Sequence, residues 1–234
     1  MRYPYPELLP EEVIERAKKL SVAQLCDGIK AAKLNIEGDG CMASDMMPVD
    51  SKMRFTGTAM TVESQDGDNF PIHLVCYKAP APGYVVVVDG KNYKGRAYCG
   101  SLMLGACNAV GYAGLVVDGC TRDKTEVTEI GFPTFCRGFM PKGPVKKNEG
   151  TINAPITCAG VKVNPGDLVV GDYDGVVVVP REYIDVVLEQ AEVKKAYEEN
   201  QEAKIALYNK NKAEGLETPE LAPQWVLDMI AENK

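Results

Sequence analysis

The sequence predicts an α/β fold, in one layered domain that ends in a long C-terminal helix. Runs rich in β-branched residues, such as Tyr84 to Asp89 (YVVVVD) and Leu115 to Asp118 (LVVD), alternate with segments of helical character. Such runs are typical of strands buried on both faces, and their alternation with helices is typical of layered α/β domains. Because no shift in composition marks a second domain, we expect one domain over residues 1–211 and a tail over residues 212–234.

The predicted helices follow from apolar spacing and from the residues that flank it. Glu11 to Lys33 has the pattern of two helices broken near Ser21, whose hydroxyl can cap the second one. A long polar helix is predicted from about Glu182 to Lys210, and a short one in the tail, where Trp225 to Ile230 carries apolar residues at helical spacing. Helices between the strands are predicted over Phe70 to Ala79, Ser101 to Val110 and Lys124 to Ile130.

Further strands complete the predicted sheet. They cover Arg54 to Ser64, Pro133 to Cys136, Val161 to Val163, Asp167 to Val170 and Gly175 to Val179. The last two are joined by a tight turn that contains Asp172 and Asp174. These two acids resemble a calcium loop only superficially, because no further ligand spacing follows. Residues 35–52 are rich in Gly, Asp, Met and Pro and predict a loop.

Charge and hydropathy narrow the classes of partner. The formal net charge is −7, whereas general nucleic-acid binding needs clustered Lys and Arg. The basic residues from Lys142 to Lys147 are few and interrupted by Gly and Pro, so we interpret them as a solvated loop. No apolar run is long enough for a signal peptide or a membrane span. We expect a cytoplasmic protein that binds neither nucleic acid nor membrane.

Eight cysteines and one histidine, His73, raise the question of a zinc site. Most of the cysteines lie in apolar segments and none forms a C-x-x-C pair, so we interpret them as buried, reduced thiols that pack as small hydrophobic residues. His73 lies on an apolar helix face, where a packed or hydrogen-bonded role is favoured over a catalytic one. Asn69 precedes that helix and is interpreted mainly as its cap.

The stretch from Gly100 to Asp123 carries the candidate chemistry. A strand-like segment ends at Tyr98-Cys99, and Gly100 and Ser101 open an apolar helix. The free amides at a helix start bind carboxylates or phosphates. Arg122 and Asp123 follow a predicted strand at its carboxyl end, where open α/β sheets place ligands. An arginine can hold a carboxylate through two contacts, and an aspartate can hold Mg²⁺ directly or through water. The alternative is that Arg122 and Asp123 only cap a helix and pair with each other.

A series of short motifs extends along most of the chain. In order, they are Leu20-Ser21 with Asp27-Gly28, Gly57-x-Ala59-x-Thr61-Val62, Gly67-Asp68-Asn69, Val87-Val88-Asp89-Gly90, Val117-Asp118-Gly119-x-x-Arg122-Asp123, Pro165-Gly166-Asp167, Gly171-Asp172-x-Asp174-Gly175 and Val179-Pro180. This ordered set, which covers roughly residues 20 to 205, resembles the RraA-like family. That family includes the class II HMG/CHA aldolases of 4-hydroxy-2-oxo acids and was formerly described as menaquinone methyltransferase-like.

The resemblance implies a fold, an assembly and roles for the site residues. It implies a swivelling β/β/α-type sandwich that forms a homotrimer or homohexamer with active sites between subunits. Arg122 would contact a pyruvyl group and favour its enolate, Asp123 would anchor hydrated Mg²⁺ or Mn²⁺, and the amides of Gly100 to Leu104 would receive the pyruvyl carboxylate. A divalent cation stabilises the enolate formed when a 2-oxo acid is cleaved or decarboxylated.

The chain departs from this pattern at one position and is ambiguous at another. The aldolases carry an acidic residue twenty-one positions before the arginine, for proton transfer, and Ser101 stands there in this chain. A serine hydroxyl is no base near neutral pH without a partner, and the alternative is that Ser101 is the N-cap of its helix. The family also delivers an acid from the long helix to the neighbouring subunit's site. Glu198 and Glu202 are candidates, or else they form a solvated acidic face.

Three functions remain open at this point. The leading hypothesis is a divalent-metal-dependent lyase that cleaves or decarboxylates a small 2-oxo acid, of the 4-hydroxy-2-oxo acid aldolase or oxaloacetate decarboxylase type. Its catalytic residues would be Arg122, Asp123 and Ser101. The second is a regulatory trimer that binds a protein partner, because the family includes ribonuclease inhibitors. The third is a different metal-dependent enzyme on the same scaffold, since fold alone does not determine function.

Overall fold

The computed structural model describes residues 2–232. Its helices and strands, in chain order, are α1 (Glu11–Ala17), α2 (Val22–Ala31), β1 (Met47–Pro48), β2 (Phe55–Glu63), α3 (Phe70–Lys78), β3 (Tyr84–Cys99), α4 (Ser101–Val110), β4 (Gly114–Thr121), α5 (Lys124–Ile130), β5 (Thr134–Phe139), β6 (Thr151–Ile152), β7 (Ile156–Cys158), β8 (Val161–Val163), β9 (Leu168–Asp172), β10 (Gly175–Val179), α6 (Ile184–Glu214) and α7 (Gln224–Glu232).

The sheet determines where a ligand site can lie. Its strand order is β1-β5-β4-β3-β2-β9-β10, with β6 paired to β2. The strands β2, β3, β4 and β5 are parallel, whereas β9 and β10 run antiparallel to β2 and to each other. Helices α3, α4 and α5 connect the parallel strands. The carboxyl ends of β3 and β4 therefore meet at one edge of the sheet, next to the starts of α4 and α5. The α/β class and the long C-terminal helix are confirmed.

Apolar clusters cover the sheet. Val85 to Val88 are fully buried, as expected for strands with both faces covered. One cluster packs α3, α4 and α5 against the parallel strands. A second cluster packs α1, α2 and the start of α6 against β9 and β10. The buried side chains of β2 to β5 thus hold the strand ends of the sheet in place.

Most predicted bounds agree with the structure, and the main difference is the length of β3. The β-branched run is predicted to end at Asp89, and a strand-like segment is predicted to end at Tyr98-Cys99. The structure joins the two in one strand, Tyr84–Cys99. Its second half, KNYKGRAY, is polar, and pairs with β4 through repeated register shifts, with left-handed backbone at Lys91 and Asn92. Such irregular pairing depends on a distant strand and leaves no alternating pattern in the sequence.

The start of α2 confirms the predicted role of Ser21. The Ser21 hydroxyl accepts a hydrogen bond from the Gln24 amide at 3.1 Å, and the Gln24 side chain accepts one from the Ser21 amide at 3.0 Å. We expect Ser21→Ala to lower the free energy of unfolding by about 1 kcal/mol, because the Gln24 amide loses its acceptor. Urea denaturation measures this, with Ser51→Ala in an exposed turn as the control. If both variants lose the same free energy of unfolding, the capping interpretation is contradicted.

Internal contacts divide the chain into two compact units, one that ends at Ala191 and one that begins at Glu192, within α6. The first contains the sheet and α1 to α5, and the second contains the rest of α6 and α7. The boundary expected at residue 211 stays a prediction. Among residues 2–232, no helix has both the length and the apolar character that a membrane crossing requires.

Candidate functional site

A cavity of about 260 Å³ lies where the sequence places the candidate chemistry, at the carboxyl ends of β3 and β4. Four segments line it: the start of α4, the turn between β4 and α5, one face of α3, and the loop around Lys146. Arg122, Asp123, Gly100, Leu102 and Met103 are among its lining residues. The structure therefore brings these five predicted site residues together, whereas Ser101 and the buried Leu104 do not line the cavity.

The turn after β4 holds Arg122 and Asp123 in a specific conformation. The Arg122 amide donates to the Cys99 carbonyl at 3.0 Å, which ties the turn to the end of β3. Asp123 has left-handed backbone angles, φ 60° and ψ 46°, which residues other than glycine adopt rarely and at some cost. Asp123 occupies the N-cap position of α5 but makes no side-chain hydrogen bond to that helix. Its carboxylate is directed elsewhere.

The Asp123 carboxylate bonds to the start of α4 instead. Its Oδ2 accepts from the Ser101 amide at 3.0 Å and from the Ser101 hydroxyl at 3.2 Å. The Arg122 Nε lies 3.6 Å from the same oxygen. Among the described residues, the other oxygen, Oδ1, has no hydrogen-bond or ion-pair partner. The alternative role of the pair, to cap a helix start and to pair with each other, is therefore also met, at α4 and not at α5. The free Oδ1 is what this role leaves available to a ligand.

The N-cap of α4 is Gly100 and not Ser101, which corrects the alternative assignment of Ser101. A Cβ on Gly100 would collide with the Asp123 carboxylate and lie 2.9 Å from the Arg122 Cγ. A residue without a side chain is thus required for the two turns to approach each other. Ser101 keeps a different role, because its amide and hydroxyl both contact Asp123.

The amides available at the start of α4 are fewer than the five expected from Gly100 to Leu104. The Ser101 amide is bonded to Asp123, and the Leu104 amide donates to the Gly100 carbonyl at 3.0 Å. The amides of Leu102 and Met103 have no acceptor among the described residues. They lie in the first helical turn beside the cavity, where amides attract anions. The Leu102 side chain is 89% exposed.

One face of α3 forms a wall that the sequence interpretation missed. Asn69, His73 and Tyr77 all line the cavity, and their four-residue spacing places them on one helix face. The rings of His73 and Tyr77 stack with centroids 5.6 Å apart. Burial and the charge of Lys146 lower the pKa of His73 below its ordinary value. His73 was interpreted as a packed residue, whereas it is half-buried at the cavity, and the Asn-x₃-His-x₃-Tyr spacing was the signal.

The loop that carries Lys146 is held by Asp68. The buried Asp68 carboxylate accepts hydrogen bonds from the amides of Phe70, Lys147 and Asn148 at 2.8 to 2.9 Å. This joins the loop to the first residue of α3. The loop is exposed as predicted, but Lys146 also lines the cavity. Arg122 and Lys146 give the cavity two cationic side chains against one carboxylate, Asp123, which favours an anionic ligand.

The donor set fits a divalent cation that keeps most of its water. In the described part of the chain, no group of three or more His, Cys, Asp or Glu side chains can enclose a metal. Asp123 offers one free carboxylate oxygen on a side chain that is 34% exposed. Mg²⁺ is often held by one or two carboxylates, with water and substrate as the other ligands. The residues present therefore suit hydrated Mg²⁺ or Mn²⁺ and not an all-protein cage such as structural zinc.

Four further acidic residues of the predicted motifs and of the long helix form two groups. Asp118 accepts from the Ala159 amide at 2.8 Å and from Arg137 Nε at 2.8 Å, and Asp172 accepts from the amides of Val22 and Asp174. These carboxylates have structural roles. Glu198 and Glu202 lie on α6 in the second unit, where Glu198 pairs with Lys194 at 3.5 Å. Their contribution to a neighbouring subunit's site stays a prediction.

Comparisons with known proteins identify relatives. The RraA-like family model, described as Aldolase/RraA, matches residues 22–178. A protein of Halalkalibacterium halodurans, provisionally named a 4-hydroxy-4-methyl-2-oxoglutarate aldolase, is 39% identical over 73% of this chain and 81% of its own length. The crystal structure of Streptomyces coelicolor RraAS2, described as an unusual member of the RNase ES inhibitor RraA protein family, has a TM-score of 0.72 at 26% identity, over 86% of this chain and 98% of that one.

Another solved structure with a similar fold belongs to a protein named for a different activity. A Geobacillus kaustophilus protein named as an S-adenosylmethionine:2-dimethylmenaquinone methyltransferase has a TM-score of 0.61 at 29% identity, over 69% of this chain and 95% of that one. Names on this fold therefore include a lyase, an inhibitor and a methyltransferase. The choice among them depends on the residues of the cavity.

Proposed function

This chain belongs to the RraA-like family, and we propose from that premise that it is a divalent-metal-dependent lyase. It cleaves or decarboxylates a small 2-oxo acid, in the manner of a 4-hydroxy-2-oxo acid aldolase or an oxaloacetate decarboxylase. The observation that carries the proposal is the convergence of three features on one cavity: the Arg122 guanidinium, the free oxygen of Asp123, and the amides at the start of α4. The aldolase name of the H. halodurans relative supports the same reaction class.

Each group has a defined task in this proposal. The amides of Leu102 and Met103 bind the substrate carboxylate, because a helix start carries partial positive charge. Arg122 holds the 2-oxo oxygen and stabilises negative charge as it develops there. Asp123 would hold Mg²⁺ or Mn²⁺, which when bound supplies positive charge that favours an enolate. Ser101 fixes the orientation of the Asp123 carboxylate through its amide and hydroxyl.

We expect the protein to act as a homotrimer or homohexamer, in which Glu198 or Glu202 of a neighbouring subunit could complete the site. Sedimentation equilibrium tests the assembly. If Glu198→Gln and Glu202→Gln both leave the reaction unchanged in an intact oligomer, the proposed contribution of the long helix is wrong.

The test of the proposed function is a screen of 2-oxo and hydroxy acids with added Mn²⁺, followed through pyruvate release. Calorimetry of oxalate binding, with and without Mn²⁺, provides a readout that needs no substrate. We expect pyruvate release from at least one 4-hydroxy-2-oxo acid or from oxaloacetate, and oxalate binding that requires Mn²⁺. A protein that binds neither oxalate nor Mn²⁺ contradicts the lyase proposal. Metal binding without pyruvate release from any of these acids favours a different enzyme on this scaffold.

The regulatory alternative predicts a different pattern of variants. The likeness to RraAS2 supports this alternative at the level of fold and family. A regulator should keep its protein partner when Arg122→Ala empties the cavity of its arginine, and should lose it when surface residues change. A lyase should lose oxalate binding in the same Arg122→Ala variant.

Ser101 provides a direct test of the missing acid. Ser101→Asp restores a carboxyl group at the position where the aldolases carry one, and an increase in aldol cleavage of about 10²-fold would show that this chain lacks only the proton relay. The new carboxyl would lie beside Asp123 Oδ2, where like charge raises a carboxyl pKa and favours proton exchange near neutral pH. Initial rates from pH 5 to 9 measure the effect, with Ser101→Asn as the uncharged control. Equal rates in both variants would show that the chain does not need an acid at this position.

A further inference from the structure

The α3 wall of the cavity supplies a group that the proposed reaction lacks. His73 is the only histidine of the chain and lines the cavity between Asn69 and Tyr77. We infer that His73 is the catalytic base and acid of this site, which moves the proton that the aldolases move through the acidic residue replaced here by Ser101. This inference rests on the proposed function, because it concerns the same substrate in the same cavity.

The other titratable groups of the cavity are poorly suited to this task. Asp123 is already engaged, because its Oδ2 is bonded to Ser101 and lies 3.6 Å from Arg122 Nε, and its Oδ1 is assigned to the cation in the proposed function. Cys99 is buried, and burial raises the pKa of its thiol well above the ordinary value. Tyrosine and lysine side chains in general carry their protons near neutral pH and therefore do not accept another. His73 remains as the group that can both accept and return a proton.

The surroundings of His73 favour its neutral form. Lys146 faces it from the loop that Asp68 holds, and Tyr77 stacks on it from the same helix. Arg122 and Asp123 line the same cavity from the turn after β4. Burial and the Lys146 charge lower the pKa of His73, so the imidazole is unprotonated and able to act as a base at pH 7.

The step balances without any further reactant. In aldol cleavage, an imidazole nitrogen of His73 takes the proton of the substrate C4 hydroxyl, and the O–H electrons form the C4 carbonyl. The C3–C4 bond breaks, and its electron pair becomes the enolate of the pyruvyl fragment. The imidazolium then returns the proton to C3, which gives pyruvate and regenerates neutral His73. No oxidant, reductant or external acid is consumed.

Proton transfer at C3 of pyruvate, the last step of the cleavage, provides a test that does not require the natural substrate. Exchange of the pyruvate methyl protons for deuterium in ²H₂O, followed by ¹H NMR with added Mg²⁺, reports proton transfer at C3 alone. We expect His73→Gln to lower this exchange by about 10²- to 10⁴-fold. Oxalate binding should stay within about twofold of the wild type, and added imidazole should partly restore exchange in His73→Ala. Tyr173→Phe, in the exposed turn between β9 and β10, is the control and should retain exchange.

A second readout is independent of turnover. The single imidazole gives one set of C–H resonances, whose pH titration measures the His73 pKa directly. We expect the acid limb of the exchange rate to follow this pKa, with exchange lost as pH falls through it because the base becomes protonated. Lys146→Met should raise the His73 pKa and move the acid limb of the exchange rate to higher pH, since it removes the neighbouring positive charge.

The outcomes separate this inference from the proposed function. Exchange in the wild type with an equally active His73→Gln variant overturns the role of His73 and leaves the lyase proposal intact. The same holds if the imidazole titration and the acid limb do not coincide. A wild-type protein that neither exchanges pyruvate protons nor binds oxalate overturns both.

Discussion

Replacing Asp123 with asparagine should abolish Mn²⁺-dependent binding of oxalate and lower pyruvate release by about 10³-fold. The reason is that Asp123 supplies the one carboxylate oxygen in the cavity without a protein partner, and the amide that replaces it carries no charge. Calorimetry measures the loss of binding, and initial rates at saturating Mn²⁺ measure the loss of activity. Because an amide oxygen can still accept from Ser101, most of the folded structure should persist.

The control for Asp123→Asn is Asp174→Asn, which removes an acid from the exposed turn between β9 and β10. This variant changes net charge by the same amount and should leave oxalate binding unchanged. Retention of Mn²⁺-dependent oxalate binding in Asp123→Asn would place the cation elsewhere and contradict the proposed site.

The second large effect is expected from one added methyl group. Gly100→Ala should lower activity by about 10²-fold or more, because the new Cβ collides with the Asp123 carboxylate and lies 2.9 Å from the Arg122 Cγ. Both functional side chains must shift to relieve the contacts, and displacements of about 1 Å in a site cost rates of this size. Oxalate binding and pyruvate release, measured beside thermal unfolding, separate displacement of the site from loss of the fold.

The matched control is Gly105→Ala on the same helix. A Cβ there would contact only the Ile130 Cδ1, at 3.7 Å, which is an ordinary van der Waals distance. Since alanine is the better helix former, this variant should be as stable as the wild type or more so, with full activity. If the two variants behave alike, the close approach of Gly100 to Asp123 has no functional importance.

The sequence predicts individual helices and strands of this fold well, because each is encoded by an apolar pattern and by flanking residues within the same short segment. The helices Ser101–Val110 and Lys124–Ile130 and the strand Gly175–Val179 have the predicted bounds. Each combines an apolar pattern with a clear start or stop, such as Gly111 after α4. The placement of Arg122 and Asp123 at a strand end followed from the same local pattern and the general rule for ligands in α/β sheets.

The missed features all depend on contacts between distant segments. The bond from Ser101 to Asp123 joins residues twenty-two apart, and Asp68 holds a loop almost eighty residues further along. The middle of β3, which joins the run ending at Asp89 to the segment ending at Cys99, has no strand pattern because it pairs irregularly with β4. His73 was assigned to a packed face, since its helix carries apolar residues on most sides and only the fold decides which side meets the cavity.

The direction of the Asp123 carboxylate affects how relatives on this scaffold should be compared. By accepting from Ser101, it stabilises the first turn of a helix that is not its own. An aspartate here would therefore be favoured for folding even in a protein that had lost all chemistry, so its retention is a poor marker of an active lyase. The arginine beside it contributes no comparable cap, and a protein that keeps both Arg122 and an unobstructed Gly100 is the better candidate for catalysis.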